Sequence, residues 1–112
     1  MTLTHSRDNW RLANFNEVLI KELQELPVDS LPLQQGLTRG SYVLDLPRKV
    51  MVIDANGSDY LIRARVGVFY TSVIGGCSCT DDPSTIEEIN EYCEIDIEID
   101  LSTAAAKTTL VV

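Results

Sequence analysis

Cys93-Glu94-Ile95-Asp96-Ile97-Glu98-Ile99-Asp100-Leu101 alternates an apolar residue with a carboxylate from end to end. A period of two is the pleat of a β-strand, in which successive side chains point to opposite faces of the sheet. The stretch therefore predicts a strand that buries Ile95, Ile97 and Ile99 and turns Glu94, Asp96, Glu98 and Asp100 toward water. One buried face requires a sheet with something packed behind it.

A pairing partner lies upstream. The run from Asp59 to Ile74 is rich in β-branched and aromatic residues. Alternation places Tyr60, Ile62, Ala64, Val66, Val68 and Tyr70 on a core face, and Leu61, Arg63, Arg65, Gly67 and Phe69 on the other. If the two runs are antiparallel, Arg63 and Arg65 stand beside Asp96, Glu98 or Asp100. Such exposed ion pairs fix register more than they add stability.

Before that run comes Val50-Met51-Val52-Ile53-Asp54, followed by Ala55-Asn56-Gly57-Ser58. Asn-Gly between two strand-like runs predicts a tight hairpin, because both central residues of a type I′ turn need positive φ. That turn would pair Ile53 with Tyr60, Val52 with Leu61 and Met51 with Ile62. Ser41 to Leu46 reads as a further strand, stopped by Pro47.

The N-terminal part has a different period. Leu12, Phe15, Leu19, Leu23 and Leu26 recur at intervals of three and four, with Glu17, Lys21, Glu22 and Glu25 for the wet side. This predicts an amphipathic helix from about Asn9 to Leu26, capped by Asp8 or Asn14 and ended by Pro27. Residues 1–8, which include His5, read as a mobile start. Residues 27–40 mix prolines and glycines with Val28, Leu31, Leu33 and Leu37, which suits an ordered loop wrapped on the core better than a linker. At the other end, residues 102–112 are compatible with a helical turn, a frayed end or an added edge strand.

At 112 residues, 45% of them hydrophobic and 23% charged, the chain has material for one core, so residues 1–112 are read as a single domain. The expected architecture is α+β: an N-terminal amphipathic helix packed on an antiparallel sheet of four or five strands that contains the Asn-Gly hairpin. No apolar run reaches the roughly 18 to 20 residues that span a bilayer, and Met1 to Trp10 lacks the apolar block of a secretory signal. The expected location is cytoplasmic.

Charge is distributed unevenly. Residues 1–76 hold eight acids and eight bases, whereas residues 77–112 hold nine acids and only Lys107, so the net charge of −8 lies in the second segment. Such a surface repels nucleic acid and anionic membranes, whose binding depends on Lys and Arg. It favours cations or a basic protein surface instead.

All three cysteines lie near the change of charge, in Gly75-Gly76-Cys77-Ser78-Cys79-Thr80-Asp81-Asp82-Pro83 and in Glu91-Tyr92-Cys93. In an extended segment Cys77 and Cys79 point the same way. With Cys93, and with Asp81, Asp82 or Glu91 supplying oxygen, they would suit a zinc, iron or copper ion. The spacing lacks the two cysteine pairs of a standard zinc site. The competing reading makes Cys93 a core residue in isoleucine register and leaves Cys77 and Cys79 as reduced loop thiols, and a third bridges either loop cysteine to Cys93 by a disulfide. Pro83-Ser84-Thr85-Ile86-Glu87 suits a short helix before Tyr92.

A thiol nucleophile needs a base, and His5 is the sole histidine; acidic neighbours also raise a cysteine's pKa and oppose its activation. No catalytic residue is expected. The sequence thus points to a small acidic binding or accessory protein that uses the rim loop of residues 75–83 or the row Glu94, Asp96, Glu98 and Asp100 to meet a basic partner; the competing reading of that row is a solvated outer sheet face neutralised by Arg63 and Arg65. The alternative is a metal-binding protein using Cys77, Cys79, Cys93 and Asp81.

Overall fold

The computed structural model describes residues 1–74 and 88–111. Two short helices, α1 (Thr4–Asp8) and α2 (Phe15–Glu25), precede a single 3-10 turn at Val28–Ser30. Among the described residues five strands follow: β1 (Tyr42–Val43), β2 (Lys49–Gly57), β3 (Leu61–Val73), β4 (Glu88–Asp100) and β5 (Ala106–Leu110). The fold is α+β with one antiparallel sheet, ordered β1-β3-β4-β5, and β2 lies beside β3 along the same edge as β1.

The long β3·β4 ladder positions everything else. It pairs Leu61 with Asp100 at one end and Val73 with Glu88 at the other, without a register shift. Its inward positions are Ile62, Ala64, Val66 and Val68 on β3 and Cys93, Ile95, Ile97 and Ile99 on β4, all buried in one cluster. Phe15, Leu19 and Leu23 of α2 belong to that cluster, as do Leu31 and Leu33 from the irregular segment that follows. Each such side chain taken out of water contributes roughly 1.5 to 3 kcal/mol before the entropy of ordering it is subtracted.

Several features depart from the sequence expectation. Asn56 and Gly57 lie inside β2, opposite Arg63 and Ile62, and Met51 and Val52 pair with Gly67 and Val66. The β2–β3 connection turns instead at Asp59-Tyr60, closed by the Ser58 amide donating to the Leu61 carbonyl at 2.9 Å. The amides of Tyr60 and Leu61 also reach the Ser58 Oγ. Neither Asp59 nor Tyr60 has positive φ, which rules out the type I′ geometry. Gly57 has another use: a Cβ there would come within 2.6 Å of the Trp10 ring and 2.9 Å of the Leu61 carbonyl oxygen. Tyr60, assigned to the core face from sequence, is exposed in the turn. An extra residue, Ile53, bulges out between Val52 and Asp54 and is exposed.

The start of the chain differs too. Instead of a loose lead-in, Leu3 is fully buried and its amide donates to the Ala104 carbonyl, and Thr2 bridges to Ala105. The Glu22 carboxylate on α2 accepts from the Ser6 amide and hydroxyl at 2.9 and 2.6 Å, which ties α1 to α2. The helix expected over Asn9 to Leu26 is accordingly shorter, with a break at residues 9–14 where Arg11 takes φ 71°. At the other end of the chain, residues 106–110 form the edge strand β5.

Arg48 finishes α2. Its guanidinium is buried and donates to the carbonyls of Leu23 (2.9 Å) and Leu26 at the helix C-terminus, where Leu23 otherwise accepts only a long bond from the Leu26 amide (3.4 Å). Arg48→Met keeps most of the apolar stem and removes both donors. A loss of about 1 to 3 kcal/mol is expected, measured by urea unfolding followed by circular dichroism. A midpoint unchanged from the wild type would mean that water replaces the contact.

Candidate functional site

The inward side chains of the sheet share a buried cluster with Phe15, Leu19, Leu23, Leu31 and Leu33, whereas Met51, Phe69 and Tyr92 on the other, open face are exposed among the described residues. The ladders arrange the open face in cross-strand rows: Lys49–Phe69–Tyr92, Met51–Gly67–Glu94, Asp54–Arg65–Asp96 and Asn56–Arg63–Glu98. The first two rows are mainly apolar and aromatic, and the last two are charged.

In the charged rows the carboxylates meet cations of the same face. Arg65 grips Asp96 through Nε at 2.8 Å and Nη2 at 3.1 Å, and Arg63 stands 3.7 Å from Glu98. The Arg65 hydrogen bond and charge hold the Asp96 carboxyl below its ordinary range. Glu98 also lies opposite Lys107 of β5. A hollow of about 520 Å³ on this face is lined partly by Asp54, Arg63, Arg65, Asp96 and Glu98, so its charges are largely committed to one another.

The two ends of the acidic row behave differently. Asp100 closes the turn after β4: one of its oxygens accepts from the Ser102 amide (2.8 Å), the Ser102 hydroxyl (2.7 Å) and the Thr103 amide (3.1 Å). Those hydrogen bonds, the Ser102 hydroxyl first, lower its pKa. Glu94 accepts from the Tyr92 hydroxyl at 3.1 Å and sits between two uncharged groups in its row and the aromatic pair. Sequence reasoning placed four equivalent carboxylates here. The structure puts them on one face but leaves them chemically unequal.

The aromatic end was not singled out from the sequence. Phe69 and Tyr92 pack at 4.7 Å between ring centroids, tilted by 42°. Met51, Phe69 and Tyr92 remain 40, 44 and 37% exposed. Their outward parity and shared rows were the available signal, but only with the β2–β3 register known.

Cys77, Cys79 and Asp81 lie outside the described residues. Cys93 is buried on the inward face and pairs with Val68, five residues inside β4, which begins at Glu88. The strand thus starts earlier than its alternating core suggested. Burial pushes the Cys93 thiol up, which disfavours a nucleophilic thiolate. His5 lies in α1, its amide near Glu22. Among the described residues, no group of three or more His, Cys, Asp or Glu side chains is arranged to hold a metal ion.

Glu91, one of the oxygen donors proposed for a metal, has a different setting. It is 3% exposed on the inward face. One carboxylate oxygen accepts from the Thr38 amide (3.2 Å) and hydroxyl (2.9 Å). The other accepts from the Arg39 amide (3.2 Å), the Gly40 amide (2.8 Å) and the Ser72 hydroxyl (2.9 Å). Burial alone would raise its pKa, but the donors outweigh it and hold the group at about 2. The carboxylate therefore clasps the 38–40 segment to the sheet, and both of its oxygens are already engaged.

No helix among the described residues is long and apolar enough to cross a membrane. No family model matches the chain, and neither a curated protein nor a solved structure is similar enough to match it.

Proposed function

We propose that this chain is a non-catalytic binding or accessory protein that meets a partner protein through the open face of its sheet. The observation that carries this reading is the cluster of large apolar side chains left exposed there, Met51, Phe69 and Tyr92, on a sheet whose opposite face is packed. Contiguous apolar surface rimmed by polar residues is the usual mark of an interface, and aromatic and methionine side chains are enriched in interface cores. The net charge of −8 favours a basic partner surface over nucleic acid. Of the acidic row, Glu94 suits this role best, because Asp96, Glu98 and Asp100 have partners within the chain.

The test is a quantitative comparison of proteins retained by the immobilised wild type, by a Phe69→Ser/Tyr92→Ser variant and by a Glu25→Gln control on α2, after matching Tm values. The expected result is a set of partners kept by wild type and control and depleted at least about tenfold by the sheet variant. Equal retention by all three would overturn the reading.

A further inference from the structure

The cations of the open face differ in what they meet: Lys49 stands beside Phe69 at the aromatic end, and the others face carboxylates at the charged end. Arg65 and Arg63 are drawn to Asp96 and Glu98, and Lys107 lies opposite Glu98. In the row of Glu94 the cross-strand neighbour is Gly67, and Met51 lies beyond it on β2. Among the described residues no Lys or Arg nitrogen reaches Glu94 within ion-pair distance. The sequence of residues 75–87 contains neither Lys nor Arg.

The aromatic pair beside Glu94 is held in place by the strand beneath it. A Cβ on Gly67 would come within 2.7 Å of the Tyr92 hydroxyl oxygen, 2.9 Å of its ring and 3.1 Å of the Met51 terminal carbon. Tyr92 and Met51 thus close over the position where a side chain of the central strand would stand. The result is a low aromatic and thioether surface with Glu94 at its edge, a carboxylate that accepts from the Tyr92 hydroxyl and feels the charge of Arg65 in the next row but makes no direct ion pair.

We propose that this surface, resting on the binding role given above, takes an arginine side chain of a partner protein together with an adjacent apolar residue. A guanidinium is planar and weakly hydrated, so it stacks on an aromatic ring and presents its edge N–H groups to a carboxylate at the same time. The apolar neighbour covers Met51 and Phe69. A purely apolar partner would desolvate Glu94 without pairing it, which is unfavourable. A second copy of this chain fits poorly for the same reason: the open face carries Asp54, Glu88, Glu94, Asp96, Glu98 and Asp100 against Lys49, Arg63, Arg65 and Lys107. Two such faces would bring an excess of carboxylates together.

The experiment is a ¹H–¹⁵N NMR titration of the full chain with acetyl-Leu-Arg-Val-amide, repeated with citrulline in place of arginine and on Glu94→Gln. The expected result is saturable shifts confined to Met51, Gly67, Phe69, Tyr92 and Glu94, with affinity reduced about fivefold or more by citrulline and by Glu94→Gln. Shifts on the same residues that ignore the charge of the peptide would overturn the arginine assignment while leaving the open face as a binding surface. Absence of saturable shifts would overturn the assignment, and the retention comparison with Phe69→Ser/Tyr92→Ser then decides the fate of the face separately. Concentration-dependent dimerisation in sedimentation, abolished by Phe69→Ser/Tyr92→Ser, would give the surface to a second copy and also overturn it.

Discussion

Glu91→Gln is expected to lower the stability of the fold by about 2 to 4 kcal/mol and its Tm by roughly 10 to 20 °C, although the side chain keeps its size. The reason is the pattern of donors. Thr38 approaches one oxygen with its amide and hydroxyl, and the amides of Arg39 and Gly40 and the hydroxyl of Ser72 approach the other. An amide side chain has one acceptor oxygen and one NH₂. In either orientation its nitrogen faces at least one backbone N–H, which cannot rotate away. That donor is left buried and unpaired, and the charge that strengthened the remaining bonds is gone.

The same carboxylate gives stability a defined pH dependence. Its pKa falls from the ordinary 4.5 to about 2 in the folded protein, so the unfolded chain takes up this proton first as pH is lowered. The contribution, on the order of 3 kcal/mol, is fully present above about pH 4.5 and is lost as pH falls through about 2. Urea unfolding from pH 6 down to pH 2 should show wild type losing stability faster than Glu91→Gln, so that the two curves converge at low pH. Parallel curves, or a variant as stable as wild type at neutral pH, would mean that the clasp contributes nothing.

How much of this was legible from sequence depends on whether a feature is periodic. The alternation over Cys93 to Leu101 identifies its strand because each residue reports its own face. Setting β3 and β4 antiparallel puts Arg63 and Arg65 beside Asp96, Glu98 or Asp100, and the observed register selects Arg65–Asp96 and Arg63–Glu98. The β2–β3 turn was not legible, since Asn56-Gly57 has hairpin chemistry locally and the group that competes for Gly57 is the ring of Trp10, distant in the chain. Glu91 did carry a signal. It occupies an inward position in phase with Ile89 and Cys93, and a charged residue there demands partners. Those partners come from residues 38–40, an irregular segment with no period to read, and a strand taken to begin at Cys93 leaves Glu91 looking like part of a rim. Arg48 was hidden in the same way, because its acceptors are the carbonyls ending a distant helix.

Gly40→Ala should be about as damaging as loss of the carboxylate itself, for a steric reason that a second substitution isolates. A Cβ on Gly40 would overlap the Ser72 hydroxyl oxygen, come within 2.6 Å of the Ser72 Cβ and lie 3.3 Å from Glu91 Oε2. Ser72 has no room to retreat: it is fully buried in β3, paired with Val43 on one side and Ile89 on the other. The 38–40 segment must therefore lift, and lifting it draws the Arg39 and Gly40 amides away from Glu91. Overpacking and broken hydrogen bonds together imply a cost of about 2 to 4 kcal/mol. Ser72→Gly removes both obstructing atoms. Alone it is destabilising, because it deletes a hydroxyl donor to Glu91 and puts glycine in a strand. Combined with Gly40→Ala it should cost about 1 to 3 kcal/mol less than the two single changes added together. That non-additivity, measured by a double-mutant cycle in urea, is the signature of one alanine methyl competing with one serine for the same space. Additive costs would show that the segment closes over Glu91 by some other route, with Gly40 serving only as a flexible link.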